Sequence, residues 1–200
     1  MKIVLASQSP RRRELLGKMG LTFTTQSPNI DEEAIQGLPA PELVKALSRE
    51  KALHIAKSQS PDAIVIGSDT VVVLDGAVLG KPASPVQAAD MLSALSGRSH
   101  EVYTGVTICQ GDRILSETEV TQVTFRTLTP EEIHWYVQTG EPMDKAGAYG
   151  IQGYGALFVE GIQGDYSNVV GLPVCRLGRM LLSFGVNCLA LAAAREEDTL

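Results

Sequence analysis

Ile3-Val4-Leu5-Ala6-Ser7-Gln8-Ser9-Pro10-Arg11-Arg12-Arg13-Glu14-Leu15-Leu16 decides the architecture of this chain. Four apolar residues, 3–6, have the length and composition of a short buried strand. Ser9-Pro10 then reads as a helix start, a hydroxyl N-cap followed by proline at the first helical position. A helix over 10–19 places Leu15, Leu16 and Met19 on one face. A buried strand that runs directly into a helix is the opening unit of an α/β fold.

The alternation continues outward from there. A polar, Pro-containing stretch at 26–41 leads to a helix over 41–57 and a second buried strand from Ala63 to Gly67. Val71 to Leu74 and Ala77 to Leu79 flank Asp75-Gly76, a favoured hairpin turn pair. Residues 85–95 and 130–139 are helical. Between them, Val102 to Cys109 and Ile114 to Phe125 are β-rich runs around Gly111-Asp112, a second hairpin. A Gly-rich stretch, 147–164, is interrupted by a strand over Ala156 to Val159, and a last helix runs from Pro173 to Gly185. Residues 189–200 form a helical or frayed tail. The class is α/β: a mixed sheet with flanking helices, in one domain or in two lobes around a cleft.

Composition narrows the function classes. The chain has 200 residues, 44% hydrophobic and 20% charged, which excludes a disordered acidic chain, a collagen and a coiled coil. The net charge is -6 and aromatics are 5%, so neither a basic nucleic-acid surface nor a base-stacking platform is expected. No run of 18 apolar residues is present, so no membrane span is expected, and the apolar run 3–6 is too short for a signal peptide. Three separated cysteines, Cys109, Cys175 and Cys188, read as thiols in a reducing compartment, and the expected location is cytoplasmic. There is no Walker-type phosphate loop, no GxSxG elbow, and no grouping of His54, His100 and His134.

Three helices start with a hydroxyl N-cap and Pro: Ser9-Pro10, Ser84-Pro85 and Thr129-Pro130. The second and third read as capping boxes, with Gln87 and Glu132 three residues on. The first carries Arg11, Arg12 and Arg13 instead. Cations at a helix N-terminus oppose the macrodipole by about 0.3–1 kcal/mol each. That placement makes sense where a polyanion docks, with Ser7 and Ser9 as further donors; a solvated basic turn is the plainer alternative. On the helix at 41–57, Val44, Leu47 and Ile55 form an apolar stripe, and Lys51 falls on it. Such a lysine either snorkels to water or pairs with an anion inside. Asp69 in Gly67-Ser68-Asp69-Thr70 ends the buried strand, where ligand clefts form in α/β sheets, and can bind a cation or act as a base. Asp31-Glu32-Glu33 offers a second carboxylate for a hard cation, or is a solvated loop. Lys81 and Lys145 are further cations. Together these residues point to phosphoryl chemistry.

Eight stretches resemble the Maf family of nucleoside triphosphate pyrophosphatases, in order, over about residues 3–187. They are LASQSPRRRELL at 5–16, DEE at 31–33, SREKA at 48–52, GSDTVV at 67–72, LGKP at 79–82, SGRSHEVYTGV at 96–106, DKAGAYGIQG at 144–153 and GDYSNVVGLP at 164–173. The last two resemble the dTTP/UTP subgroup. The resemblance implies a Maf/Ham1-like fold with two lobes around a central cleft, a single pyrophosphatase domain over 1–187, a C-terminal tail at 188–200, and a homodimer as its assembly. It implies hydrolysis of dTTP and UTP, or of modified pyrimidine nucleotides, to monophosphate and pyrophosphate, with Mg, Mn or Co as divalent cofactor. Asp69 matches the catalytic carboxylate and Glu32 a polar cleft position; the two are the expected metal ligands. Ser7, Arg11, Arg12, Lys51, Thr70, Lys81 and Gln152 match substrate-binding positions, of which Arg11, Thr70 and Gln152 are linked to substrate choice. The nucleotide is the expected partner, with no nucleic acid or membrane. The competing class is a nucleotide-binding regulator of cell division that needs no catalysis.

Overall fold

The computed structural model of the protein describes residues 2–35 and 37–197, without the side chains of residues 33 and 195–197. Seven strands form one sheet: β1 (Ile3–Ala6), β2 (Thr24–Gln26), β3 (Ile64–Leu74), β4 (Ala77–Leu79), β5 (Ser99–Gln110), β6 (Arg113–Phe125) and β7 (Val159–Gln163). The order is β2-β1-β3-β5-β6-β7, with β4 paired to β3. β1 runs parallel to both β2 and β3, whereas β3–β4 and β6–β7 are antiparallel, so the sheet is mixed. The helices are α1 (Pro10–Lys18), α2 (Ala40–Ala56), α3 (Pro85–Leu95), α4 (Pro130–Gln138), α5 (Tyr166–Val170), α6 (Val174–Ser183) and α7 (Cys188–Glu197).

The chain divides into two compact units. The first comprises residues 1–69, 104–119 and 171–200. Its core joins Val4, Ala6 and Val65 of the sheet to Ala52 and Ile55 of α2, with Cys109 beside them. Gly67 on β3 and Gly105 on β5 let α2 lie close to the sheet. A Cβ on Gly67 would collide with the Ser48 carbonyl and Ala52, and one on Gly105 with the Val44 carbonyl. Side chains at these two positions would push the helix outward. Under the same helix, Ser48, Thr107 and Ser116 form a hydroxyl chain at 2.9 and 2.8 Å, which satisfies polar groups that burial would otherwise strand. The second unit comprises residues 70–103 and 120–170. There α3 packs on α4. Phe125 meets His100, Tyr149 and Phe158 edge-on at 5.0, 4.7 and 5.9 Å.

Several sequence expectations change in detail. Asp69 does not end a strand: β3 continues unbroken from Ile64 to Leu74, through the polar Gly-Ser-Asp-Thr run. What ends near Asp69 is the parallel ladder with β1, whose last rung pairs Ala6 with Gly67. The strand expected at 156–159 lies later, at β7, because Tyr154–Phe158 closes into a 3-10 helix. β2 and α5 are additional elements, three and five residues long, too short to announce themselves in the sequence. Only Thr129 forms a reciprocal capping box. At Ser84 the cap accepts from Gln87 N, but the Gln87 side chain accepts from Ala83 N at 2.6 Å. The tail is helical from Cys188 to Glu197, and residues 198–200 lie outside the described ones. The Asp75-Gly76 turn has φ of 51° and 80°, as a type I′ hairpin requires. Among the described residues no single helix is long and apolar enough to cross a membrane.

Candidate active site

In the first unit, α1, α2, β3 and the loop at 31–35 bring five of the expected residues together. The apolar stripe of α2 seats Val44, Leu47 and Ile55 in the core, and Lys51 goes in with them, only 8% exposed. Its ammonium does not snorkel. It lies 2.5 Å from Asp69 Oδ1 and 2.8 Å from Glu32 Oε1. Asp69 is itself 7% exposed, two residues beyond the glycine over which α2 packs. Glu32 reaches the pair from a short 3-10 turn, Glu32–Ala34, whose start is closed by Asp31 Oδ1 accepting from Ala34 N at 3.3 Å. One cation is thus shared by a buried carboxylate and a half-exposed one.

Arg12 joins them from the first turn of α1. Ser9 caps this helix by accepting from Arg12 N at 3.4 Å, a long bond that reflects a weak cap. Ser7 Oγ accepts from Ser9 N at 3.1 Å and so shapes the approach to the helix. The Arg12 guanidinium donates through Nε to the Gly171 carbonyl at 2.8 Å. That carbonyl also accepts from Ser68 Oγ at 3.0 Å. Burial pulls the Arg12 guanidinium below the ordinary arginine range; Asp69 and Glu32 pull it up, and Arg11 pulls it down further. The Arg12 guanidinium therefore senses the charges of Asp69, Arg11 and Glu32. Arg11 itself is half-buried on the same turn.

The remaining expected residues belong to the second unit. Thr70, half-buried, follows Asp69 along β3. Lys81 is exposed just after β4, where Gly80 O accepts from Gly147 N at 3.1 Å. Gln152 is exposed on the Gly-rich turn. Lys145 is spoken for within the loop, 2.6 Å from Asp144 Oδ1 and donating to the Glu141 carbonyl at 2.7 Å. The positions that sequence reasoning missed are Gly171, whose carbonyl holds Arg12, and Ser68, which donates to the same carbonyl. Both lie inside quoted stretches, but no spacing rule links them.

The arrangement suits an anion beside a metal. Among the described residues there is no group of three or more His, Cys, Asp or Glu able to hold a metal alone. Glu32 and Asp69, however, are hard oxygen donors that already converge on one positive charge. They fit a divalent cation, which takes oxygen ligands.

The family described as Maf-like protein matches residues 2–184. A dTTP/UTP pyrophosphatase of Moorella thermoacetica is 56% identical over 188 residues, 93% of this chain and 96% of that protein. One from Symbiobacterium thermophilum is 52% identical, over 92% and 94%. The solved structure of the Staphylococcus aureus Ham1 protein aligns to 62% of this chain and 72% of its own at 16% identity, with a TM-score of 0.45. With a family match that spans nearly its whole length and relatives that share half of its residues, the chain belongs to the Maf family.

Proposed function

We propose that this protein is a nucleoside triphosphate pyrophosphatase that hydrolyses dTTP and UTP to the monophosphate and pyrophosphate. The observation that carries the reading is the cluster of Arg12, Lys51, Glu32 and Asp69, in a chain half identical to enzymes of that name. Water attacks the α-phosphorus and a new P–O bond forms. The bond from that phosphorus to the bridging oxygen breaks, and its electron pair leaves with pyrophosphate. Asp69, whose carboxylate points at Lys51 in a largely buried pocket, takes the proton of the attacking water. Arg11, Arg12, Lys51 and Lys81 balance charge that moves onto the leaving pyrophosphate. Ser7 and Thr70 contribute hydroxyl donors, and Gln152 pairs with the O4 and N3-H edge that uracil and thymine share. Glu32 and Asp69 would hold a divalent cation, Mg, Mn or Co, which when bound would supply further positive charge for the phosphate. An acidic protein accommodates the polyanion because these cations make the site locally basic.

In this reading residues 1–187 act as one pyrophosphatase domain, with 188–200 as a tail. A homodimer is the assembly that the family resemblance implies, and the cytoplasm is the compartment in this reading, supported by three free thiols. A non-catalytic regulator is not favoured, since it has no need of a buried Asp69. The deciding experiment measures pyrophosphate release with Mg²⁺ from common and modified nucleoside triphosphates. We expect dTTP and UTP to lead the panel. Binding of dTTP without release would assign the chain to the regulator class.

A further inference from the structure

The Gly-rich turn that carries Gln152 is organised around one carboxylate that the proposed chemistry does not use. Glu141, half-buried, follows α4 in the second unit. Its Oε1 accepts from the Tyr136 hydroxyl at 2.8 Å and from Gly155 N at 3.1 Å, and its Oε2 accepts from Tyr154 N at 2.9 Å. The Tyr136 hydroxyl in turn accepts from Gly150 N at 3.1 Å. Directly or through Tyr136, the carboxylate thus holds the backbone N–H groups at 150, 154 and 155, on both sides of Gln152. Three glycines let the chain come this close. A Cβ on Gly153 would collide with the Glu141 carboxylate, one on Gly150 with the Lys145 side chain, and one on Gly155 with the Gly150 carbonyl and the Tyr136 hydroxyl. Burial first, and then Glu141, push the Tyr136 hydroxyl well above the usual tyrosine range, so it stays a donor. Tyr136 is also fixed by its ring, edge-on to Phe158 at 4.8 Å.

We propose that Glu141 is a specificity-positioning residue, whose carboxylate fixes the turn from Gly150 to Gly155 and with it the direction in which Gln152 presents its amide to the pyrimidine. The inference rests on the reading of Gln152 given above. An amide tells uracil from cytosine only if its donor and acceptor ends hold a set orientation; a turn free to rotate would let it meet either base. The carboxylate has the right chemistry for the task, because a charged acceptor makes stronger bonds to backbone N–H than a neutral one.

The test compares Glu141→Gln, Gln152→Ala and the double variant by kcat/KM for UTP and CTP. Glutamine keeps the size of the side chain but turns an NH₂ group toward backbone donors. We expect the UTP-over-CTP preference to fall about tenfold in Glu141→Gln, mainly through loss on UTP. The double variant should lose no more preference than Gln152→Ala alone, because both changes disable one reading device. Tyr136→Phe, which keeps the ring and removes only the hydroxyl, should shift the ratio in the same direction, and it decides the matter alone if Glu141→Gln does not fold. An equal loss on UTP and CTP, or an unchanged ratio in Tyr136→Phe, overturns the proposal by making Glu141 a structural residue. The unaltered protein separates this failure from the other: if it shows no preference for UTP over CTP, the substrate reading falls and this inference with it.

Discussion

A lysine on the apolar stripe of a helix must either bend its ammonium out to water or meet a carboxylate inside. Lys51 does the second, and two carboxylates meet it. Replacing Asp69 with Asn keeps the shape of the pocket and removes the proton acceptor of the proposed mechanism. Turnover should fall by roughly 10²–10⁴ while nucleotide binding persists; a pure variant with more than about half of wild-type activity would dismiss Asp69 as the base. Arg12 carries two opposed terms. As a cation at a helix N-terminus it is unfavourable by about 0.3–1 kcal/mol. Its bond to the Gly171 carbonyl, a charged donor to a buried acceptor, contributes about 1.5–3 kcal/mol. Arg12→Ala should therefore destabilise by about 1 kcal/mol, although the sequence alone predicts neutrality or a gain. Its main effect should be on triphosphate affinity, far more than on nucleoside affinity, as titration calorimetry with UTP and uridine can measure. Charge placed against local rules singled out Arg11, Arg12 and Lys51 in the sequence, whereas Asp69 was singled out as the end of a strand that in fact continues to Leu74. Ser68 and Gly171 broke no local rule; their importance comes only from the partner that folding brings to them.

Among the elements, the three helix starts show how far local chemistry reaches. All three N-caps form where Ser or Thr precedes Pro, yet they differ in strength. Thr129 and Glu132 exchange bonds at 3.2 and 2.8 Å, and Arg126 and the Thr129 amide hold the Glu132 carboxyl down at about 2. Thr129→Ala should lower unfolding stability by about 1 kcal/mol, and Ser9→Ala, with its 3.4 Å bond, by less; urea midpoints of the two variants check the order. Proline and hydroxyl residues signalled these helices because capping is settled within four residues. Strand continuity is not. Gly67 to Thr70 has turn-like composition, and it stays extended because α2 presses on Gly67 and neighbouring strands pair on either side of the run. β7 was misplaced for a related reason: Ala156 to Phe158 is apolar enough for a strand, but the pairing partners of Val123 and Thr124 are Ile162 and Gly161.

At the scale of the whole molecule, stability should depend on His100. It is 2% exposed, its Nε2 is 2.8 Å from the Tyr149 hydroxyl, and burial lowers its pKa from the ordinary 6.5 to about 4. Above pH 6.5 the ring is neutral in both folded and unfolded chains and contributes no pH dependence. As the pH falls from 6.5 toward 4, the unfolded chain takes up a proton that the folded one refuses, so stability is lost, by about 3 kcal/mol when complete. Urea midpoints at pH 7 and pH 5 should converge in His100→Gln relative to wild type; an unchanged difference would remove His100 as the cause. Activity should vanish in excess EDTA and return with Mg²⁺, Mn²⁺ or Co²⁺, and full turnover in chelator would defeat the role given to Glu32. The bond from Arg12 to the Gly171 carbonyl joins residues 159 apart. On the ribosome, Arg12, Lys51 and Asp69 all emerge well before that carbonyl exists. A nascent chain therefore carries Arg12, Lys51 and Asp69 early but cannot orient its arginine until residue 171 has been added, and a product truncated before that residue would be left with its charges unaligned.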